Sequence, residues 1–382
     1  MVRAALFAAA TLAMTLPALA LDQQAFERIA KRVFDPIMTE FGIPGIAVGA
    51  VMDGETFVFT AGLANAKTGA PVTGDTLFEL GSVSKLFTVT LAERAEHDGV
   101  LALDEPVAAY IGDLEGTALG DLTLAALATH ATGGMPLHAP EGITTRAKLT
   151  AWLAHWRPAA PPAHTRSYSN LSIGLLGAIV ADRLSTTYVE AMEGGLFPAL
   201  GLQSTFVRVP EARMADYAMG MNRDGRPARM NPGFLVEEAY GVRSTVVDMT
   251  RFIAAELGAI EVDPDLAAAI VRTRTVYADT AYYAQAMIWE GYTWPVTLQG
   301  LKAGNALDMA LKPQPLIPRT PPAVPNGDMF WNKTGSTAGF GTYVAILPSQ
   351  RIGLVVLANR SYPNPVRATA SVEMIRAMLA AE

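Results

Sequence analysis

The chain has no cysteine. That excludes disulfides, a thiolate nucleophile and any cysteine-ligated metal. Histidine is scarce as well, with five in 382 residues. None is spaced as H-x-x-x-H or H-x-x-E-H, so a zinc site has little support and no metal or cofactor is implied. Positive charge is outnumbered, 29 Lys and Arg against 36 Asp and Glu, for a net charge of −7. With no basic run interleaved with aromatics, nucleic acid is not an expected partner. No fixed-period repeat appears, which argues against a solenoid. Beyond residue 20, no apolar run approaches the ~18 residues that a membrane span needs.

What is present is the composition of a globular protein: 51% apolar and 17% charged residues, with 33 Gly and 25 Pro scattered through many turns. The first twenty residues, MVRAALFAAATLAMTLPALA, form a separate object. Arg3, a short apolar run and the Ala18-Leu19-Ala20 ending match a secretory signal cut after Ala20. A membrane anchor fits less well, because the run is short and no charged stop follows it. Cleavage removes one Arg and no acid, taking the net charge from −7 to −8. The expected location is the periplasm, as a monomer.

Residues 25–41 carry apolar positions at helical spacing. Two strands then flank Asp53-Gly54, a hairpin signal. From about 82 to 280 the pattern is mostly helical, with helices predicted near 83–98, 121–129, 145–156, 170–183, 188–198 and 245–258. The tail returns to β-rich runs at 342–348 and 352–359 and closes as a helix. Strands at both ends and helices between predict an α/β domain made from 21–81 and 285–382. Its antiparallel sheet is packed by the terminal helices, and a mainly helical domain, 82–284, is inserted into it. A cleft between the two lobes is where a ligand is expected.

Three short segments carry chemistry. In FELGSVSK, Ser82 and Lys85 stand three apart at a helix start, so their side chains share a face. A serine hydroxyl needs an adjacent base, and a lysine can serve if burial or nearby positive charge lowers its pKa. The helix start also offers free backbone N–H groups to an oxyanion. In TRSYSNLSIGLLG, Tyr168 precedes Ser169 and Asn170 at the start of an apolar helix. Either of the latter two could be a plain cap. Chemically, Tyr168 near lysines is a candidate proton carrier, and Asn170 offers an amide to Lys85 and to a substrate. The tripeptide Lys-Thr-Gly occurs twice. Lys67-Thr68-Gly69 lies among turn formers and reads as an exposed connection. Lys333-Thr334-Gly335 runs with Ser336 into the strand pair and is the candidate machinery. Gly335 would admit a substrate backbone closely, and the Ser336 N–H could join that of Ser82 as an oxyanion donor.

S-x-x-K, Y-x-N and K-T-G in this order, separated by whole lobes, are far more specific together than singly. The chain resembles the class C (AmpC-type) serine β-lactamases over about residues 25–380, through FELGSVSK, LATHATGGMPL, YSNLSIGLLGAIV, EAYGVRST, NKTGSTAGFGTYVAILP and LANRSYPNPVR. No E-x-x-L-N segment is present, so class A is a poor match. The resemblance implies the β-lactamase/penicillin-binding-protein transpeptidase-like fold, with the site between the α/β and all-α parts. It implies Ser82 as the acylated nucleophile and Lys85 with Tyr168 as the acid/base pair. Asn170 would bind the substrate side-chain amide, and Lys333 and Thr334 the carboxylate region. Asn364 and Arg367 are the outer carboxylate-recognising positions, and Tyr240 the aromatic wall of the side-chain pocket.

Two departures from the family pattern stand out. His138 follows GGMPL where a Gln is usual, which alters amide recognition and introduces a group that can charge near neutral pH. Ser361 stands where Asn is frequent. His130 is expected to be structural. The implied activity is hydrolysis of cephalosporins and penicillins through a Ser82 acyl-enzyme, and hence antibiotic resistance. Whether Lys85 or Tyr168 is the general base stays open, because the Lys85–Tyr168–Lys333 cluster titrates as a unit. A D-alanyl-D-alanine carboxypeptidase or a serine esterase shares the acylation step, and a non-catalytic penicillin-binding sensor would stop at it. Drug spectrum would depend on 205–235, 300–325 and His138.

Overall fold

A computed structural model describes residues 21–231 and 233–381. The expected signal segment, 1–20, lies outside the described residues. The first helix, Gln23–Phe41, begins where Asp22 accepts the Ala25 N–H (2.6 Å) and ends at Gly42 in the left-handed region, φ 58°. Its apolar stripe, Phe26, Ile29, Ala30 and Phe34, is buried. The predicted hairpin follows: Gly45–Met52 pairs with Glu55–Asn65, and Met52 faces Glu55 across the turn. Both turn residues have positive φ, Asp53 at 49° and Gly54 at 90°, as a two-residue hairpin requires.

One ten-stranded sheet organises the molecule. Across it run Ile317–Ala323, Val276–Asp279, Ala284–Gln285, Glu290–Thr293, Met329–Ser336, Gly341–Leu347, Ile352–Ala358, Gly45–Met52, Glu55–Asn65 and Ala70–Pro71. Every neighbouring pair is antiparallel. The N-terminal hairpin joins the C-terminal strands through Gly45–Met52 beside Ile352–Ala358, so the two chain ends build one sheet. Val276–Asp279 already belongs to it, although 82–284 was expected to be helical. The four-residue strand is too short to stand out beside the helix Pro264–Arg272.

Strand alternation divides the core in two. Ile46, Val48, Leu354 and Val356 pack with Phe26, Phe34, Met374 and Ile375 of the terminal helices. Ala47, Val51, Val344 and Val355 face the helical part with Leu86, Phe87 and Phe252. Every residue of Gly45–Met52 is buried because both faces are covered.

In the helical part, Ser84–His97, Arg146–His155, Asn170–Arg183 and Val246–Glu256 fall where helices were predicted. The helix expected over 121–129 is only Leu124–Ala128, starting at the Thr123 cap. The one at 188–198 begins with a Thr187–Glu190 capping box and passes through a π-helical turn at Ala191–Leu196. The helix Ser84–His97 is buried on all sides over Ser84–Glu93. It runs through the middle of the helical part and fixes what stands at its N-terminus.

Candidate active site

Ser82 sits on a short 3₁₀ turn, Gly81–Val83, just ahead of the helix at whose start it was expected. Gly81 has φ +54°, and a Cβ there would lie 2.5 Å from the Ser336 backbone nitrogen. Only glycine meets both demands. The backbone of the Ser82 turn is thereby packed directly against that of Ser336.

Lys85, one turn on, is fully buried. Its ammonium donates to Ser82 Oγ (3.1 Å), Asn170 Oδ1 (2.7 Å) and the Ala239 carbonyl (2.8 Å). All three donors are used, which accounts for a buried lysine without a carboxylate partner. Tyr168 Oη is 2.6 Å from Ser82 Oγ, so the serine hydroxyl touches both candidate bases. Ser169 is the cap of helix Asn170–Arg183, accepting the Ser172 N–H. The cap and the amide that meets Lys85 are therefore adjacent residues with separate jobs.

The charges favour proton transfer. Burial lowers the pKa of Lys85, and the charge of Lys333 acts in the same direction, against the opposing pull of Tyr168. Burial alone would raise the Tyr168 phenol. The ammonium groups of Lys85 and Lys333, with hydrogen bonds from Ser82 and Lys85, outweigh it and bring the phenol down to about 8. Lys333 Nζ lies 5.5 Å and Lys85 Nζ 5.2 Å from the Tyr168 ring centroid.

Lys333-Thr334-Gly335-Ser336 ends the strand Met329–Ser336, and Lys333, Thr334 and Ser336 line a cavity of about 480 Å³. Ser82, Tyr168, Asn170, His138, Tyr240 and Asn364 line it too. The structure thus gathers ten of the twelve residues singled out from the sequence, Lys85 by its contact with Ser82 and nine as walls of one cavity. Gly335 and Arg367 have other roles. A Cβ on Gly335 would meet the Leu80 carbonyl oxygen at 2.0 Å, so this glycine serves the seating of the nucleophile turn rather than the approach of a substrate. Arg367 is buried beneath the strand end. It donates to the Gly335 carbonyl (2.5 Å), Ser336 Oγ (2.9 Å), Ser361 Oγ (3.2 Å) and the Tyr362 carbonyl, and does not line the cavity. It braces the floor, and Ser361 is one of its anchors. The motif gave the position of Arg367, not the direction of its side chain.

His130 is buried, its ring tilted against that of Tyr168 at 4.5 Å, with Nδ1 accepting the Ser169 N–H at 3.3 Å. Burial and the charges of Arg166, Lys85 and Lys333 push its pKa well below the usual value, so it is a neutral packing partner of Tyr168. His138 packs edge-on to Tyr240 at 6.0 Å. Burial, then the Lys85 charge, lowers its pKa from the usual imidazole value.

Three charged residues of the wall were missed, Glu290, Arg166 and Arg229. Glu290 lies 3.5 Å from Lys333 Nζ and 3.7 Å from Arg166. Arg166 also donates to Gln285 Oε1 (2.6 Å) and the Met309 carbonyl (2.6 Å). The signal was a lone acid in the apolar segment AMIWEGY and an Arg two residues before Tyr168. A charge in apolar surroundings points to a buried partner, but not to which one. Among the described residues, no group of three or more His, Asp and Glu is arranged to hold a metal.

Comparison with known proteins agrees with this geometry. The β-lactamase family model matches residues 30–378. A β-lactamase of Psychrobacter immobilis is 40% identical over 343 residues, 90% of this chain and 86% of that protein. A class C β-lactamase from Rhodobacter sphaeroides superposes with a TM-score of 0.89 at 46% identity, covering 92% of this chain and 99% of its own. A protein described as the D-alanine carboxypeptidase AmpC of Burkholderia cenocepacia gives 0.89 at 43%, covering 93% and 99%. The fold and site define a serine acyl-transfer enzyme of the transpeptidase-like type. The chain belongs to the β-lactamase family, with class C enzymes among its structural neighbours.

Proposed function

We propose that this protein hydrolyses the β-lactam amide of cephalosporins and penicillins through an acyl-enzyme on Ser82. The observation that carries the reading is the contact of one serine hydroxyl with both Lys85 and Tyr168 beside a cationic strand. Ser82 Oγ bonds to the lactam carbonyl carbon as its proton passes to the Lys85–Tyr168 pair. The oxyanion is held by the N–H groups of Ser82 and Ser336, each worth about 10²–10³ in rate. Collapse breaks the carbon–nitrogen bond, and the pair returns the proton to the leaving nitrogen. Water then adds to the ester carbon, giving its proton to the same pair, and the ester bond breaks with that proton restored to Ser82.

The remaining residues have binding roles in this reading. Lys333 and Thr334 receive the substrate carboxylate, with Asn364 at the outer edge. Asn170, His138 and Tyr240 form the corner that takes the acyl side-chain amide. The pair titrates as a unit, so activity should rise as pH increases towards the Tyr168 value of about 8. The similarity to a protein named as a D-alanine carboxypeptidase keeps a second reading, with peptide in place of lactam.

The discriminating experiment gives the chain a cephalosporin, a penicillin and an acyl-D-alanyl-D-alanine peptide. The lactamase reading expects turnover of the lactams well above that of the peptide. Peptide turnover alone would move the assignment. We further propose export to the periplasm after cleavage at Ala20, a monomer, and division into 21–81 with 285–382 against 82–284, with the strands from Val276 drawn into the first part. No described helix is long and apolar enough to cross a membrane.

A further inference from the structure

Three cations line the cavity, and they are not equivalent. Lys333 and Arg166 share the Glu290 carboxylate. Arg229 has no carboxylate within ion-pair distance among the described residues. Its side chain is nevertheless held in place. Nε donates to the Ala218 carbonyl at 3.0 Å, Nη2 donates to the Tyr217 carbonyl, and the guanidinium lies 3.9 Å over the Tyr217 ring. Such a fork is ordered before any ligand arrives, so little side-chain entropy is lost on pairing. Glu79 is the nearby acid: its Oε1 accepts from the Tyr217 hydroxyl (2.5 Å) and the Met230 N–H (2.7 Å), its Oε2 is buried without a partner, and its charge favours the Arg229 cation without forming an ion pair with it. Arg243 donates to the Tyr217 hydroxyl (3.3 Å) and adds positive charge near Arg229.

The position of Arg229 indicates which part of a substrate it meets. Arg229, Met230 and Asn231 line the cavity, and Phe234 and Leu235, a few residues later in the sequence and just before the helix Val236–Tyr240, pack around His138, Asn170 and Tyr240. That is the side-chain corner of the proposed site. Another part of the cavity wall comes from Gly304–Leu307 and Met309–Leu311, where the Met309 carbonyl accepts from Arg166. Arg229 therefore enters the cavity from the segment that also walls the amide corner, and not from the segment that lies against Arg166.

We propose that Arg229 reads a carboxylate carried by the acyl side chain, so that the preferred substrates are lactams with two anionic groups, one for Lys333 and one for Arg229. This rests on the lactamase reading above. A cationic group with only carbonyl partners gains a charge-assisted bond when such a substrate binds, which is absent for its neutral counterpart.

The test compares two cephalosporins that differ only at the end of the acyl chain, adipoyl against hexanoyl. The ratio of their kcat/KM values is measured for the wild-type chain, Arg229→Gln and Arg229→Lys, with melting temperature as a folding control. Whatever common factor moves both rates, the adipoyl-to-hexanoyl ratio should fall roughly tenfold in Arg229→Gln, the weight of one charge-assisted bond, and partly recover in Arg229→Lys. The same ratio is read as binding affinity on a Ser82→Ala background, which needs no turnover. A ratio unchanged by Arg229→Gln in both assays overturns this proposal. Absence of turnover with a binding ratio that does respond overturns the hydrolytic reading and leaves Arg229 as assigned.

Discussion

Lys67-Thr68-Gly69 and Lys333-Thr334-Gly335 are the same tripeptide in two settings. The first is an exposed turn, organised by Asn65, whose side-chain oxygen accepts the Lys67 N–H at 3.0 Å and whose carbonyl accepts the Gly69 N–H at 2.9 Å. The second is buried in the sheet, paired residue by residue with Thr342–Val344. Lys67 points to water. Lys333 is 3% exposed and helps set the ionisation of Tyr168. Even the glycines are required for different reasons. Gly69 has φ +75° with open space around it, while Gly335 is pressed against the Leu80 carbonyl. A short motif therefore acquires chemistry from the second element brought against it, here the Ser82 turn.

The contrast can be broken by matched substitutions. Lys333→Met should lower kcat/KM for a cephalosporin by about 10²–10³, through loss of transition-state charge stabilisation, while Lys67→Met leaves it within twofold; steady-state kinetics decide. Gly335→Ala should destabilise the fold by roughly 3 kcal/mol or more in denaturant titration, because backbone on both sides cannot give way. Gly69→Ala should cost about 1 kcal/mol, the left-handed backbone penalty alone.

A pH series sharpens the same point. Two positive neighbours hold the Tyr168 phenol down at about 8. Removing one in Lys333→Met raises it, so less phenolate is present at neutral pH and the acidic limb of the kcat/KM profile moves to higher pH. An unmoved limb in that variant would mean that Tyr168 ionisation does not govern the rate. The smallest effect belongs to His138→Gln. Because burial and the Lys85 charge already disfavour the charged imidazole, the change should alter relative kcat/KM among acyl side chains by about tenfold at most, without shifting the profile.

Much of this was legible in the sequence, for local reasons. The hairpin at Asp53-Gly54 and the S-x-x-K spacing appear where expected, and of the two candidate caps, Ser169 and Asn170, Ser169 takes the role; each is set by residues within one turn of each other. The order of the three segments fixed which residues meet. What failed to show depends on long-range packing. The Glu290–Lys333–Arg166 cluster joins three distant segments, and a lone charge in an apolar run does not name its partner. Arg367 and Gly335 were assigned to substrate because a motif carries position without orientation. Each turns instead towards the protein's own backbone. Arg229 gave no signal in a turn-rich, charged loop, since its direction is set by the distant Tyr217 ring and the Tyr217 and Ala218 carbonyls.

The central claim is that Ser82 is acylated and then released. The direct measurement is intact mass of the mature chain mixed rapidly with a cephalosporin, alongside its hydrolysis, for the wild-type and Ser82→Ala proteins. The account predicts a transient adduct on Ser82 and multiple turnovers in the wild type. The variant should show no adduct and a rate lower by at least about 10⁴-fold. Turnover that survives in Ser82→Ala, or an adduct mapped to another residue, would contradict it.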